Sequence, residues 1–541
     1  MAIDPQKKGR RVAQKIIKTI YMINLRYFQS VSSTIGLFTF LTACASPSPT
    51  PERASSIWPE ATEVIEVGYR GITEKYIDHI PVDQLALDGI NGLSAIDPAL
   101  RVQRYKELIT LSYSDIPIIS VKTPSKLDVQ GWAKLTSKLA LAARAYSTNM
   151  KTANAEKLYE AVFDGVLSKL DFFSRYAGAL DARKNRAQRN GFGGIGIGFK
   201  RKAGVLHITN VTSNTPASIA GLQSDDIITH INRKSVSHLT TRHVTDLIRD
   251  LSLKTISLTI IKAGLKTSET HNLTRKHIIY PTVTEKRLND ILYFKVSSFN
   301  QGTARSLSEK LKTAISEMGD ALIGVVLDLR GNPGGLLKQS VKVADLFLSQ
   351  GTIISTKGRH IDSLHKYAAG GSDLTDGQPL MVLIDGNSAS AAEIVAAALQ
   401  DRERAILVGT PSYGKGTIQS VLRLPNDGEI TLTWSRFIAP SGYALQGLGV
   451  RPSLCIRSKY ETVEKLIDVT ISSVLEIKSI FKRWRSVLLI DDIQRKILRS
   501  TCRAEQKKTD TELNVAKHIF ENPTSYAHLM SLSSVPNQAH K

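Results

Sequence analysis

The chain has 541 residues, 42% of them apolar and 22% charged, with a formal net charge of +22. That composition excludes a disordered or low-complexity majority, and the length exceeds what one hydrophobic core serves, so about two to four domains are expected. The positive excess does not form a stripe. Lys7, Lys8, Arg10, Arg11, Lys15, Lys18 and Arg26 crowd the first 30 residues against Asp4, and the rest is scattered apart from Lys482-Arg483-Trp484-Arg485. With no aromatic-interleaved basic face and no zinc-ligand spacing, a nucleic-acid partner is not expected.

Val31 to Ala43 is an apolar run behind the basic segment. It is too short and interrupted for a membrane helix of ~20 residues and fits the core of an export signal. It ends in Leu41-Thr42-Ala43-Cys44, which resembles a bacterial lipobox. The resemblance implies a signal over 1–43, a diacylated Cys44 opening the mature chain, and a lipid anchor in the membrane. Met22 would begin a signal of ordinary length. Residues 44–57, with Ser46-Pro47-Ser48-Pro49-Thr50-Pro51, read as a semi-rigid tether. The expected location is the bacterial envelope, facing the periplasm, with either membrane holding the lipid. Cys455 and Cys502 are the other two cysteines and lack metal-ligand spacing. An exported chain can bond them; two buried free thiols fit the sequence equally well.

Residues 58–190 show helical periodicity with few strand signals. Asp88 to Asp97 and Asp164 to Asp171 look alike, either through partial duplication or as two similar amphipathic helices. No chemistry is evident there.

From Gly191 to about 280 the texture is short strands and turns. Gly193-Gly194-Ile195-Gly196-Ile197-Gly198-Phe199 is followed by the alternating run Val205 to Val211, so a strand and not a helix follows the glycines. That excludes a dinucleotide fingerprint. Ser213 to Leu222 then reads as a turn with a short helix, and Asp225 to Asn232 as a strand. This order resembles a bacterial PDZ domain. The resemblance implies that backbone N–H groups at Ile195, Gly196 and Ile197 receive a peptide carboxylate, the peptide adding as a strand.

Residues 281–453 alternate strands with helices: strands at Ile291 to Val296, Leu322 to Leu329, Leu380 to Ile384 and Ala405 to Val408; helices at Thr303 to Met318, Leu336 to Leu348 and Ser390 to Gln400. That is α/β layering with a largely parallel sheet. Residues 454–541 read as a helical extension.

Two segments here carry chemistry. Asn387-Ser388-Ala389-Ser390-Ala391-Ala392-Glu393-Ile394 puts a serine at a helix start. Ser390 to Glu393 is a capping box, and the same geometry aims the Ala391 N–H where an oxyanion would form. Tyr413-Gly414-Lys415-Gly416-Thr417 supplies a lone lysine in a glycine turn. A serine nucleophile needs a base, and a lysine serves when desolvation leaves it neutral. Gly416 to Leu422 reads as a strand, so Lys415, Thr417 and Gln419 share a face and Gln419 can orient the amine. Gly409 to Lys415 also matches the start of a phosphate-binding loop, but Gly416 replaces the Ser or Thr and a strand replaces the required helix. A third segment, Asp328-Leu329-Arg330-Gly331-Asn332-Pro333-Gly334-Gly335, lies at a strand-to-helix switch, where Gly334 and Gly335 can expose N–H donors.

The PDZ-like module followed by Leu329 to Gly335, Ser388 to Ile394 and Tyr413 to Gln419 resembles the C-terminal processing peptidases, or tail-specific proteases, over about 155–453. The resemblance implies an α/β crotonase-like protease core with an inserted PDZ-like β-rich domain and a helical N-terminal region. It implies Ser390 as nucleophile (not Ser388), Lys415 as base, Gln419 as the lysine's partner, and an oxyanion hole from the Ala391 backbone and one of Gly334 or Gly335. Protein substrates with exposed apolar C-termini are expected, without metal or nucleotide cofactor; a homo-oligomer or an activating adaptor stays open. Departures are the long helical front and the extension, within which Asp510 to Ala516 looks like a closing helix and the basic segment has no counterpart. The rivals are a non-catalytic PDZ adaptor that kept the fold and a nucleotide hydrolase.

Overall fold

The computed structural model describes residues 57–250, 253–456, 462–506 and 511–534. The expected export signal over 1–43, Cys44 and nearly all of the expected tether over 44–57 lie outside these residues.

The front is built from helices Ile57–Lys75, Val82–Asn91, Val129–Tyr146 and Ala155–Leu167, which close around buried Tyr69, Trp132 and Phe163. Their starts are fixed locally: the Asp128 side chain accepts the Gly131 N–H, and the Asn154 side chain accepts the Lys157 N–H. The two look-alike segments cross at their glycines. A Cβ on Gly92 would lie 2.0 Å from the Ala161 carbonyl oxygen, and one on Gly165 would lie 2.5 Å from that of Asp88. Their similarity has a packing reason, because only glycine lets the two backbones approach so closely.

The sequence reading missed an antiparallel sheet within this region, Leu100–Tyr105, Leu108–Tyr113 and Ile116–Lys122. Ile109 and Leu111 are buried, but most of its other side chains meet solvent. Strands so solvated leave little apolar alternation to read.

The next module is an antiparallel sheet with strands in the order Ser268–Thr274, Thr255–Ile261, Ile227–Ile231, Val205–Val211, Ile197–Lys202. It carries its own core of Leu206, Ile208, Ile228, Val244 and Leu258. Ile197–Lys202 is an edge strand.

The central sheet runs Val283–Leu288, Ile291–Val296, Gly324–Asp328, Leu380–Ile384, Ile406–Gly409, Leu454–Cys455, antiparallel in the first pair and parallel thereafter. A parallel sheet needs both faces covered. Val325, Leu327 and Val382 face helices Thr303–Met318, Leu337–Asp345 and Ala391–Asp401. Their neighbours Val326, Met381 and Leu383 face the extension, through Val515 and Ile519 of helix Thr511–Phe520 and Leu529 of helix Pro523–Ser531. The extension is therefore the second layer of this domain. The sequence boundary at 453 falls just before a strand of the same sheet.

A second sheet, His365–Ala368, Thr352–Gly358, Glu429–Ile438, Thr417–Arg423, takes one more strand, Arg175–Ala177, from the front. Cys455 and Cys502 are disulfide-bonded, with Cα atoms 6.1 Å apart, so the free-thiol alternative falls. No helix among the described residues is long and apolar enough to cross a membrane.

Candidate functional site

Strand Leu380–Ile384 runs out through Asp385 to Ala389 into helix Ala391–Asp401, with Ser390 as the N-cap. Ser390 has φ 55° and ψ −113°, a backbone state that a non-glycine residue holds at a cost of ~1–3 kcal/mol. The sharp turn leaves Ser390 half-buried between buried Ala389 and Ala391. Ser388 is fully buried; its hydroxyl donates to the Leu329 carbonyl at 2.9 Å and accepts the Asp385 N–H at 2.9 Å. It is a structural serine.

The Glu393 carboxylate reaches back to the Ser390 N–H at 2.7 Å, the bond a capping box provides. Its other contacts were not foreseen. Oε1 accepts the Ser412 hydroxyl and the Gly414 N–H, the latter at 2.7 Å. Oε2, which holds Ser390, also accepts the Lys415 N–H at 2.9 Å. Glu393 is 0% exposed. Burial pushes its carboxyl up, against the pull of the donors from Ser412, Gly414, Ser390 and Lys415. One buried carboxylate thus fixes the serine turn to the lysine turn.

Lys415 stands in a turn wedged against another loop. Gly416 donates its N–H to the Gln446 side chain at 2.9 Å, and a Cβ on Gly416 would lie 2.0 Å from the Gln446 nitrogen. The half-buried Lys415 amine lies over the Phe173 ring, 4.8 Å from its centre. Burial first, then the Arg175 charge, push the amine below the usual lysine range; Glu393 and Asp171 oppose them. Strand Thr417–Arg423 follows, not the helix a phosphate loop would open.

The backbones of Ser390 and Lys415 are brought together, but their functional groups are not bonded: among the described residues no hydrogen bond joins the Ser390 hydroxyl to the Lys415 amine. Gln419 shares a face with Thr417 as expected, yet its amide nitrogen donates to the Thr417 hydroxyl at 2.9 Å and, more loosely, to that of Thr433 at 3.5 Å. Two threonine hydroxyls hold the amide that the sequence reading gave to the amine.

Gly334 meets the serine turn directly. A Cβ on it would lie 2.9 Å from Ser390 Cβ and 3.1 Å from the Ala391 nitrogen, and its φ is +104°. Glycine is required there by both space and conformation. The Gly334 N–H donates to Asn332 Oδ1 at 2.8 Å and is therefore already engaged. Beneath this loop, Arg330 pairs with Asp328 at 2.8 Å and with Glu512 at 3.0 Å, and Lys295 reaches Asp328 at 3.0 Å. Burial pushes the Asp328 carboxyl up, but Arg330, Lys295 and Tyr293 outweigh it and hold the group below its usual value.

In the small sheet domain, Ile195 is buried and Gly196 has φ +88°. The Ile195 carbonyl accepts the Ala217 N–H at 2.9 Å and the Gly196 carbonyl the Thr212 N–H at 2.8 Å. Those bonds fix the loop at the head of edge strand Ile197–Lys202.

Phe173, Asp171 and Arg175 come from a stretch the sequence reading left without chemistry. The available signal was the aromatic pair Phe172-Phe173 just past a helix; Phe172 is 88% exposed.

Two family patterns match the chain: Peptidase family S41 over residues 290–456 and a PDZ domain over residues 193–268. A carboxy-terminal-processing protease of Bartonella bacilliformis is 37% identical over 318 residues, 58% of this chain and 73% of that protein. A carboxyl-terminal-processing protease of Picosynechococcus sp. is 31% identical over 304 residues, 55% of this chain and 72% of that protein. Among solved structures, a photosystem II D1 C-terminal processing protease is 21% identical, covering 74% of this chain and 92% of its own, with a TM-score of 0.37.

Proposed function

Because the chain belongs to peptidase family S41, the carboxy-terminal-processing proteases, we propose that it is a cell-envelope endopeptidase that cuts with Ser390 and Lys415. The observation that carries this reading is the Glu393 carboxylate, which holds the backbones of both residues at one oxygen.

The steps follow from the chemistry of the groups. A neutral Lys415 takes the Ser390 proton. Burial and Arg175 favour that neutral form. The serine oxygen attacks the peptide carbonyl, and the Ala391 and Gly335 N–H groups receive the oxyanion. The new amine leaves with a proton from Lys415, and water then hydrolyses the acyl-enzyme with Lys415 again as base. The amine must turn from Phe173 toward Ser390. Catalytic hydrogen bonds often tighten only with substrate in place, and Gln419 is near enough in chain and face to receive the lysine then.

The PDZ domain supports capture of a protein C-terminus. Its edge strand offers unpaired backbone to an extended peptide, and the loop at Ile195, Gly196 and Ile197 would meet the carboxylate. Location in the envelope, through a lipid on Cys44, draws on the export-type N-terminal sequence; the Cys455–Cys502 bond supports an oxidising compartment.

The adaptor reading draws on the unmade Ser390–Lys415 hydrogen bond, the proteolytic reading on its closing with substrate in place. Cleavage of a protein with an apolar tail, followed by mass spectrometry of both products, decides between them. Wild type should cut and Ser390→Ala should bind without cutting. Wild type that binds without cutting is an adaptor.

A further inference from the structure

Helix Asp492–Ser500, in the segment without a counterpart in the family resemblance, has one face turned inward. Arg495 and Leu498 are buried there, while Ile493 and Ile497 on the opposite side are exposed. Arg495 and Arg499 are one helical turn apart and so point the same way. Arg499 donates to the Ser412 carbonyl from both terminal nitrogens at 3.1 Å, and also to the Leu448 carbonyl. Arg495 donates to the Ala444 carbonyl at 3.1 Å and also to that of Gln446. Gln446 is the residue whose side chain holds the Gly416 N–H. The Ser412 hydroxyl, in turn, is bonded to Glu393. Two guanidinium groups therefore grip both loops that flank the lysine.

The chain beyond this helix returns to the same place. The main-chain carbonyl of Glu505 accepts the Gly386 N–H at 2.8 Å, ahead of the serine turn, and its main chain exchanges 3.1 Å bonds with the Thr410 hydroxyl, ahead of the lysine turn. Between Arg499 and Glu505 stands Cys502, bonded to Cys455 at the end of the central sheet.

We propose that this segment is part of the cutting apparatus, with Arg499 as a positioning residue for the lysine turn and the Cys455–Cys502 bond as the fastening that keeps it in place. The proposal rests on the Ser/Lys reading. Arg499 touches neither substrate nor reacting atoms; it acts through Ser412 and Glu393. Reduction by a dithiol returns two thiols, with the reductant closing to its own cyclic disulfide, and frees the strap from the sheet.

The test uses the full chain and a tailed peptide. Wild type, Ser390→Ala, Arg499→Gln, Arg499→Lys and the double variant Cys455→Ser/Cys502→Ser are compared for kcat, KM and melting temperature. Arg499→Gln and Arg499→Lys should lose about tenfold or more in kcat with KM little changed, and added guanidinium should restore part of the loss in Arg499→Gln. Wild type treated with dithiothreitol should fall to the rate of the double-cysteine variant and recover on reoxidation. If Arg499→Gln fails to fold, Arg499→Lys and the reversible reduction still decide. Full kcat in Arg499→Lys overturns the positioning role of Arg499, and full kcat in reduced wild type overturns the fastening role of the disulfide. A wild type that does not cut, or a Ser390→Ala that does, overturns the Ser/Lys reading instead.

Discussion

The carboxylate of Glu393 and the backbone N–H of Lys415 are joined at 2.9 Å, and the oxygen that makes this bond also holds the N–H of Ser390 at 2.7 Å. Ser390 and Lys415, the pair proposed as nucleophile and base, are thus tied through their main chains, independently of where their side chains point.

Glu393→Gln tests the anchor. An amide offers one acceptor oxygen where the carboxylate serves three N–H groups and a hydroxyl. Leaving buried donors unpaired costs ~1–3 kcal/mol each. The variant should melt lower and lose at least about tenfold in kcat. Chemical denaturation and peptide cleavage measure the two effects separately.

Arg175 tests the base. In the proposed mechanism Lys415 acts when neutral, so kcat is expected to rise as pH climbs through the amine's pKa. Burial and then the Arg175 charge lower that pKa; Glu393 and Asp171 raise it. Arg175→Gln removes one lowering influence, so the acid limb of the kcat profile should move to higher pH. A profile that stays in place, or moves lower, would exclude Lys415 as the titrating group.

Gly196 tests tail capture. A side chain there would meet Thr215 atoms at 2.2–2.5 Å in a backbone with φ +88°. Gly196→Val should raise KM for a tailed protein by about tenfold or more, because it distorts the loop proposed to receive the tail's carboxylate. Calorimetric titration with a peptide bearing a free or an amidated C-terminus separates this from a general folding defect.

Asp328 tests the support under the glycine loop. Asp328→Ala leaves Arg330 buried with less compensation, a change worth about 3–5 kcal/mol. Because the folded carboxyl sits below its ordinary value, the wild-type contribution is present above the usual aspartate range and is lost as pH falls through the folded value. Urea unfolding of wild type and variant should therefore converge in acid.

The central sheet was legible because its strands are continuous apolar runs and its helices strongly periodic. The helix expected from Thr303 to Met318 occupies those residues, and the strand expected from Leu322 to Leu329 is Gly324–Asp328. Ser390 and Lys415 were legible as local patterns, a capped helix and a glycine turn. What stayed hidden joins distant parts of the chain. Glu393 looked fully explained by its own helix, and the aromatic pair Phe172-Phe173 just past a helix did not say which distant residue it meets. The pairing of Cys455 with Cys502 could not be decided from spacing. Nor does periodicity say that helix Thr511–Phe520 covers the second face of the sheet, since an apolar stripe does not name what it packs against.

Phe173 lies under the lysine amine, and Arg175–Ala177 pairs with Glu429–Ile438. A shortened version starting at the PDZ domain would keep Ser390 and Lys415 yet open the Lys415 amine to bulk water and strip a strand from the sheet beside it. The region ahead of that domain cannot be discarded as a spacer, and any minimal active fragment has to include it.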